Sequence, residues 1–109
     1  MPIVALNLTP GLLGTAETNL FAAIPAGHEY DLPVIRFVNN DPLNSHQLRI
    51  WNKVGAGAGT NADIESMLSI QPQSTYEHGP LALPAGRVIS VAADQAGFIS
   101  CRPTGWDIT

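Results

Sequence analysis

The segment GPLALPAGRVISVAADQAGFISC, residues 79–101, carries the clearest strand and turn signals in this chain. Two short apolar runs of strand-forming residues, Val88–Ala93 and Phe98–Cys101, flank the sequence Asp94-Gln95-Ala96-Gly97. Aspartate and glycine suit a tight turn, because aspartate can bond the nearby backbone and glycine tolerates positive φ. The pattern therefore predicts a β-hairpin around which the upstream strands assemble.

A Pro-Ala-Gly tripeptide occurs twice, at Pro25–Gly27 and at Pro84–Gly86, each time before a strand-like segment. Proline fixes φ and the glycine is free to adopt positive φ, which together favour a sharp turn. The upstream copy follows Asn19–Ile24, which we interpret as the second strand. Both tripeptides are expected to end one strand and begin the next.

The chain length of 109 residues is that of one domain, with a core large enough to be stable without disulfides or bound metal. Cys101 is the only cysteine, so an internal disulfide is excluded. No apolar run approaches the roughly 20 residues that span a bilayer, and the first residues lack the pattern of a secretory leader. We expect a soluble protein made in a cytoplasm, with no membrane partner.

Charged residues make up 13% of the chain, against about 25% in ordinary soluble domains. Two interpretations are open: partners cover part of the surface, or small polar side chains replace charged ones. The net charge is -4, and only five residues are Lys or Arg. Nucleic-acid binding needs clustered basic residues that neutralise phosphates, so no nucleic-acid partner is expected.

The first strand is expected at Pro2–Leu8, followed by a Pro-Gly break and a loop of small residues. Its apolar face consists of Val4, Leu6 and Leu8. We therefore distinguish an N-terminal strand or arm, residues 1–18, from a β-sandwich domain, residues 19–109. The arm either folds back onto its own sandwich or adds as a strand to the open edge of a neighbour.

The principal strand is expected at His28–Asn40, because both of its faces are largely apolar. One face carries Leu32, Val34 and Val38, and the other carries Ile35 and Phe37. Such a strand is central or has its outer face covered, and Pro33 within it indicates an edge or a bulge. Arg36 is then expected to be paired, since an unpaired buried guanidinium is costly. Its candidate partners are Asp31, Glu77 or a carboxylate of a neighbouring subunit.

The turn signal Asn39-Asn40-Asp41-Pro42 predicts that Gln47–Lys53 returns as the partner of the principal strand. Leu48 and Ile50 would then face inward and Trp51 would lie on the opposite face. Further strands are expected at Gln73–His78 and, as a last edge strand, at Gly105–Ile108.

The sequence VGAGAG at Val54–Gly59 predicts a mobile loop. It is followed by Thr60-Asn61-Ala62-Asp63, which has the form of a capping box. Ile64, Met67 and Leu68 then follow at helical spacing. One or two helical turns are expected here, ended by Pro72.

Taken together, the spacing of strands and turns predicts an all-β protein. We expect a single antiparallel β-sandwich, jelly-roll-like, of about eight strands with at most one short helical turn. There is no alternation of strands and helices, and the glycines of residues 55–59 are not followed by the Gly-Lys-Ser/Thr sequence and helix of a phosphate-binding loop.

The three histidines, His28, His46 and His78, raise the question of a metal site, because cupin barrels of this size bind metals. A cupin site requires two histidines one residue apart, and no His-x-His is present. We interpret all three as solvent-exposed loop histidines and Cys101 as a small buried hydrophobe. The acidic residues are scattered singly, so we expect no catalytic site, no metal and no cofactor.

Trp51 and Trp106, with Tyr30 and Tyr76, could form a platform for stacking sugars. Large amphipathic rings are also enriched at protein interfaces and in cores. Both interpretations stay open at this point, with interface or core favoured.

Three segments resemble small virion proteins of tailed bacteriophages. They are LFAAIPAGHEYDLPVIRFVNND at residues 20–41, QLRIWNK at 47–53 and GPLALPAGRVISVAADQAGFIS at 79–100. The resemblance covers residues 19–101, and the N-terminal 18 residues depart from it. It implies a β-sandwich or jelly-roll module that decorates a capsid as a cement protein, or that sits in a tail or baseplate.

On this resemblance we predict a non-enzymatic capsid cement protein that bridges neighbouring major capsid subunits, forms trimers and is located in the virion. A tail or baseplate subunit is the alternative within the class, and a carbohydrate-binding module is the alternative outside it. The predicted interface residues are Val4, Leu6, Leu8, Arg36, Trp51 and Trp106.

Overall fold

The computed structural model describes residues 3–6, 8 and 11–109, which contain ten strands and one 3₁₀ turn. The strands are β1 (Ile3–Ala5), β2 (Gly11–Leu12), β3 (Thr18–Asn19), β4 (Glu29–Asn39), β5 (His46–Val54), β6 (Ile64–Ile70), β7 (Thr75–His78), β8 (Leu81–Leu83), β9 (Arg87–Ala93) and β10 (Ile99–Ile108). The predicted positions Pro2 and Asn7 of the first strand lie outside the described residues. Within the described ranges, no helix is long and apolar enough to cross a bilayer.

The strands form two antiparallel sheets that pack together. The first sheet has the order β1-β10-β4-β7, with β2 also on β10 and β8 also on β4. The second sheet has the order β3-β9-β5-β6. Since β1 and β2 share one neighbour, and β7 and β8 share another, the ten strands occupy eight positions. Successive positions mostly alternate between the sheets, as in a jelly roll, so the predicted all-β fold class is confirmed.

The predicted hairpin at residues 88–101 is wrong, because its two strands lie in different sheets. β9 pairs with β3 and β5, whereas β10 pairs with β1, β2 and β4. The turn between them bonds a third segment instead: Ala93 N donates to Gly14 O at 3.0 Å, and Gly97 N donates to Leu13 O at 3.1 Å. A tight turn between two apolar strands can therefore join two sheets as well as two neighbours in one sheet.

The same error affects Gln47–Lys53, which was expected to pair with the principal strand. β5 lies in the second sheet, between β9 and β6, while β4 lies in the first. The inward orientation of Leu48 and Ile50 is confirmed, as both are fully buried. The pattern of side chains along β5 was thus sufficient to orient the strand but not to choose its neighbour.

Both Pro-Ala-Gly turns are confirmed, and they lie side by side. Gly27 and Gly86 adopt φ of +82° and +88°. In each turn the residue after glycine donates back to the proline carbonyl, from His28 to Pro25 at 3.1 Å and from Arg87 to Pro84 at 3.4 Å. Gly86 N also donates to Ile24 O at 2.8 Å, which joins the two turns. Each turn carries the chain from one sheet to the other, β3 to β4 and β8 to β9.

At the opposite end of the sandwich, four more connections pass between the sheets: residues 13–17, 40–45, 71–74 and 94–98. We call this the crossover end. Asn39 N donates to Ser74 O at 3.0 Å and Asn40 N donates to Phe98 O at 2.8 Å, so the end of β4 and the segment after it contact the 71–74 and 94–98 connections. The buried Asn39 amide adds bonds to the carbonyls of Asn44 and Ile70, each at 2.9 Å.

β4 is the central strand that its two apolar faces predicted, lying between β10 on one side and β7 and β8 on the other. Leu32 and Pro33 together oppose the single residue Gly105 of β10, so Pro33 lies at a bulge, as expected. The bulge turns Leu32 inward with Ile35, and both are fully buried. The assignment of Leu32 to the same face as Val34, made from strict alternation, is therefore wrong.

The capping box is confirmed: Thr60 N donates to Asp63 Oδ2 at 2.9 Å, and a single 3₁₀ turn follows at Asn61–Asp63. The helical continuation is wrong, because Ile64–Ile70 forms β6 and pairs with β5 along its length. Apolar residues four apart also fit a strand, and here the pairing with β5 decides the outcome.

Two other strand predictions need correction. Of the expected second strand, Asn19–Ile24, only Asn19 has strand geometry, as the last residue of β3, although Leu20 N continues toward β9 with a bond to Ile89 O at 2.9 Å. Residues 105–108 are not an edge strand but the end of β10, between β1 and β4.

The core between the sheets is aliphatic apart from Phe37 and the thiol of Cys101. Its largest fully buried apolar side chains are Phe37, Leu32, Ile35, Leu48, Ile50, Ile89, Ile99 and Val91. Cys101 is buried as expected, and burial raises the pKa of its thiol to about 12. The thiol is therefore protonated and unreactive at neutral pH.

Candidate assembly surface

An apolar groove lies on the first sheet where β1 pairs with the end of β10. Ile3 is opposite Ile108, and Ala5 is opposite Trp106. Ile3 is 63% exposed and Trp106 is 43% exposed, so both present apolar surface to solvent. The groove has a volume of about 280 Å³ and is lined by Ile3, Asp31, Trp106 and Ile108. We call these four residues the Trp106 groove.

The groove borders an open sheet edge. Among the described strands, β1 pairs only with β10, so its other backbone edge is free. Val4 on this strand is exposed. A free edge beside apolar side chains is a template for the addition of a strand from another chain.

The N-terminal strand folds back onto its own sheet, which is one of the two alternatives left open by the sequence. Its expected apolar face is divided: Val4 is exposed, but Leu6 and Leu8 are half-buried against the core. Leu6 N also donates to Gly105 O at 2.9 Å. Val4 is thus accessible to a partner, whereas Leu6 and Leu8 belong mainly to the fold. The division of the chain at residue 18 stays a prediction.

Trp51 does not present its ring to a partner or a sugar, because it is only 6% exposed. Gly59 packs so closely on the indole that a Cβ there would lie 2.6 Å from Trp51 Cδ1. The Arg49 guanidinium covers the ring from 5.3 Å, a cation–π distance. Of the alternatives for Trp51, the structure supports the buried one.

Arg36 is paired with Glu77, as expected, with 3.0 Å between Nη2 and Oε2. The expected burial of the Arg36 guanidinium is wrong, because both side chains are more than half exposed. In register, Arg36 lies between Glu77 on β7 and Arg102 on β10. Two arginines therefore face each other across neighbouring strands on the outer face of the first sheet, in line with the Trp106 groove.

Glu17 organises a buried network that the sequence did not predict. Its carboxylate accepts bonds from Lys53 Nζ, Ser90 Oγ and, at 2.8 Å, from Gly59 N. Burial raises the pKa of Glu17, but these bonds outweigh it and lower the pKa to about 2. Lys53 also donates to Gly57 O, so the loop expected to be mobile is bonded at both Gly57 and Gly59. A single acid in a run of small residues gives no sequence signal for this role.

The interpretation of the histidines as exposed is wrong for two of the three. The side chain of His46 is 3% exposed and that of His78 is 10% exposed, while His28 is one-third exposed. Each is bonded to a carboxylate: His28 to Asp107, His46 to Asp41 and Asp94, and His78 to Glu65. His78 Nδ1 also lies 2.8 Å from Tyr76 Oη. In the part of the chain that the structure describes, no three His, Cys, Asp or Glu side chains are grouped to hold a metal.

Comparisons with protein families, with curated proteins and with solved structures found no match to this chain. The class that fold and surface define is an all-β domain of two antiparallel sheets with an exposed apolar groove at an open edge.

Proposed function

We propose that the protein is a structural component of a tailed-bacteriophage particle, a capsid cement protein that bridges neighbouring major capsid subunits. The resemblance of residues 19–101 to small phage virion proteins suggests the class. Jelly rolls occur in viral capsid proteins but also in lectins and enzymes, so the fold is compatible with the proposal by analogy only. The observation that carries the proposal is the Trp106 groove beside the free edge of β1.

The groove has the features of an interface centre. Tryptophan supplies more binding free energy than most residue types when a partner covers it, and exposed aliphatic neighbours increase the apolar area that is removed from water. Ile3 and Trp106 are both uncovered in the isolated chain. A partner strand added along β1 would place its side chains beside this groove while its backbone satisfies the free edge.

The arginine row on the same face suggests what the partner carries. Like charges directly opposite one another destabilise a sheet, and Arg36 already uses Glu77. Arg102 has no carboxylate within ion-pair distance among the described residues. A carboxylate on the capsid subunit would relieve the repulsion between the two guanidinium groups. We also propose that the protein forms trimers, as the resemblance to oligomeric phage virion proteins implies.

The experiment is a binding assay with purified protein and phage heads that lack it. Trp106→Ala is expected to weaken binding by about 30-fold, since truncating an interface tryptophan costs at least about 2 kcal/mol. Leu43→Ala is the matched control, because Leu43 is an exposed apolar residue at the other end of the sandwich. Leu43→Ala should bind heads as tightly as the wild type. The proposal is wrong if Trp106→Ala also binds heads as tightly as the wild type.

A carbohydrate-binding module is the second candidate, and one observation favours it. In the Trp106 groove an exposed indole adjoins the Asp31 carboxylate, a pairing that suits a sugar ring and its hydroxyls. Affinity for immobilised glycans that is lost in Trp106→Ala, without binding to phage heads, would favour this candidate. Binding to tails or baseplates instead of heads would favour the other phage role.

A further inference from the structure

At the crossover end, His46 lies between two carboxylates. Its Nε2 is 2.8 Å from Asp41 Oδ2 and its Nδ1 is 2.9 Å from Asp94 Oδ1. One ring face stacks on Phe98, with 4.6 Å between centroids and 11° between planes. The neighbour of His46 on β6 is Ile70. The charged groups that face the imidazole from the elements packed around it are therefore the two carboxylates.

This geometry determines the protonation state of the ring. A neutral imidazole has one N–H donor and one acceptor nitrogen, whereas an ionised carboxylate only accepts. Carboxylate oxygens at bonding distance from both nitrogens require both to carry a proton. The bond to Asp41 raises the pKa of His46, burial lowers it by less, and Asp94 raises it further, so the net shift is upward from 6.5.

The two carboxylates are not equally free to leave. Asp41 is 7% exposed, and its Oδ1 accepts from Leu43 N at 2.9 Å and Asn44 N at 3.2 Å. The bond from Leu43 N, the bond from His46 and the bond from Asn44 N together lower the pKa of Asp41 to about 2. Asp94 is 39% exposed, so its carboxylate already reaches water. Burial raises the pKa of Asp94, but the bond from His46 and weaker backbone bonds from Gln47 and Gln95 outweigh it and lower the pKa. When the imidazole is neutral and carries a single N–H, we therefore expect that proton on Nε2, donated to Asp41.

We propose that His46 is a proton-dependent clasp: the imidazolium holds both Asp41 and Asp94, and loss of its Nδ1 proton releases Asp94 and loosens the 94–98 connection. The clasp joins the β4–β5 and β9–β10 connections. Because the pKa of His46 is higher in the folded state than its ordinary 6.5, the clasp is fully closed below pH 6.5. It opens, and its contribution to stability is lost, as the pH rises through the folded-state value. The bond from Asn40 N to Phe98 O at 2.8 Å keeps the opening local.

The test is nuclear magnetic resonance of the full chain with ¹⁵N-labelled histidine, in parallel with amide exchange. Below pH 6.5 both ring nitrogens of His46 should be protonated. On raising the pH, loss of the Nδ1 proton should coincide with reduced exchange protection at the amides of Asp94 and Gly97, which bond to Gln47 O and Leu13 O. The Leu20 amide, bonded to Ile89 O nearer the Pro-Ala-Gly turns, should keep its protection.

Two variants separate the clasp from general pH effects. Asp94→Asn removes one carboxylate, so His46 should lose its proton at lower pH and the protection of Gly97 should no longer follow that titration. Asp107→Asn makes the same change beside His28 and should leave the pH dependence of exchange protection at the Gly97 amide unchanged. An unprotonated ring nitrogen of His46 below pH 6.5, or Gly97 protection that does not follow the titration of His46 in the wild type, overturns the proposal.

Discussion

Glu17 compensates the charge of Lys53, whose side chain is 4% exposed. In Glu17→Gln the ammonium would remain buried without its counter-charge, which costs about 3 kcal/mol of unfolding free energy. Urea unfolding at neutral pH measures this loss. Glu77→Gln is the matched control: it removes a carboxylate from an exposed ion pair and should cost less than about 1 kcal/mol. Equal effects of the two substitutions would show that the network around Glu17 does not stabilise the fold.

The pH dependence of the Glu17 network follows from its lowered pKa. The pKa of Glu17 is about 2 when folded and 4.5 when unperturbed, so its contribution to stability is complete above pH 4.5 and is lost as the pH falls toward 2. The difference in unfolding free energy between the wild type and Glu17→Gln should therefore shrink over this range. A difference that stays constant from pH 5 to about 2 would contradict the assignment.

Gly105 lies where β4 bulges toward β10, and the contact leaves no room for a side chain. A Cβ at this position would collide with the Leu32 side chain and lie 3.0 Å from Leu6 Cδ1. Gly105→Ala should lower the unfolding free energy by about 2 kcal/mol, as overpacking of a core does. Gly57→Ala, where a Cβ meets nothing within 4 Å, should change stability by less than about 0.5 kcal/mol. A fully stable Gly105→Ala would mean that Leu32 is not held in its inward position.

At the scale of elements, the sequence predicted strands better than their neighbours. β4 and the two Pro-Ala-Gly turns follow from local chemistry, because proline, glycine and two apolar faces act within a few residues. The pairing of β9 with β5 and β3 does not, since a turn such as Asp94–Gly97 has the same composition whether it joins neighbours or crosses between sheets. The sequence predicted helical turns where β6 forms, for a similar reason: β6 is stabilised by its pairing with β5, which is a long-range contact.

The polar networks were the least predictable elements of the candidate sites. Glu17 and Lys53 are 36 residues apart, and His46 and Asp94 are 48 apart. Single acids and histidines at such separations give no periodic pattern. The residue type alone predicted both tryptophans as interface residues. Trp106 is exposed and so available to a partner, whereas Trp51 is buried.

At the scale of the whole molecule, the low charge content gains a physical explanation. Several of the few charged groups are buried inside the fold, namely Lys53 with Glu17 and Asp41 with His46. The surface is thus even less charged than the composition suggests, which agrees with cover by partners. Small polar residues replacing charges would account for the composition but not for the uncovered Trp106 groove.

Attachment to a capsid through the Trp106 groove can be seen by cryo-electron microscopy of phage heads reconstituted with the purified protein. We expect density for the jelly roll at junctions between major capsid subunits, with Trp106 and the β1 edge against a capsid subunit. Density with the groove facing solvent, or bound protein only on tails or baseplates, would contradict it.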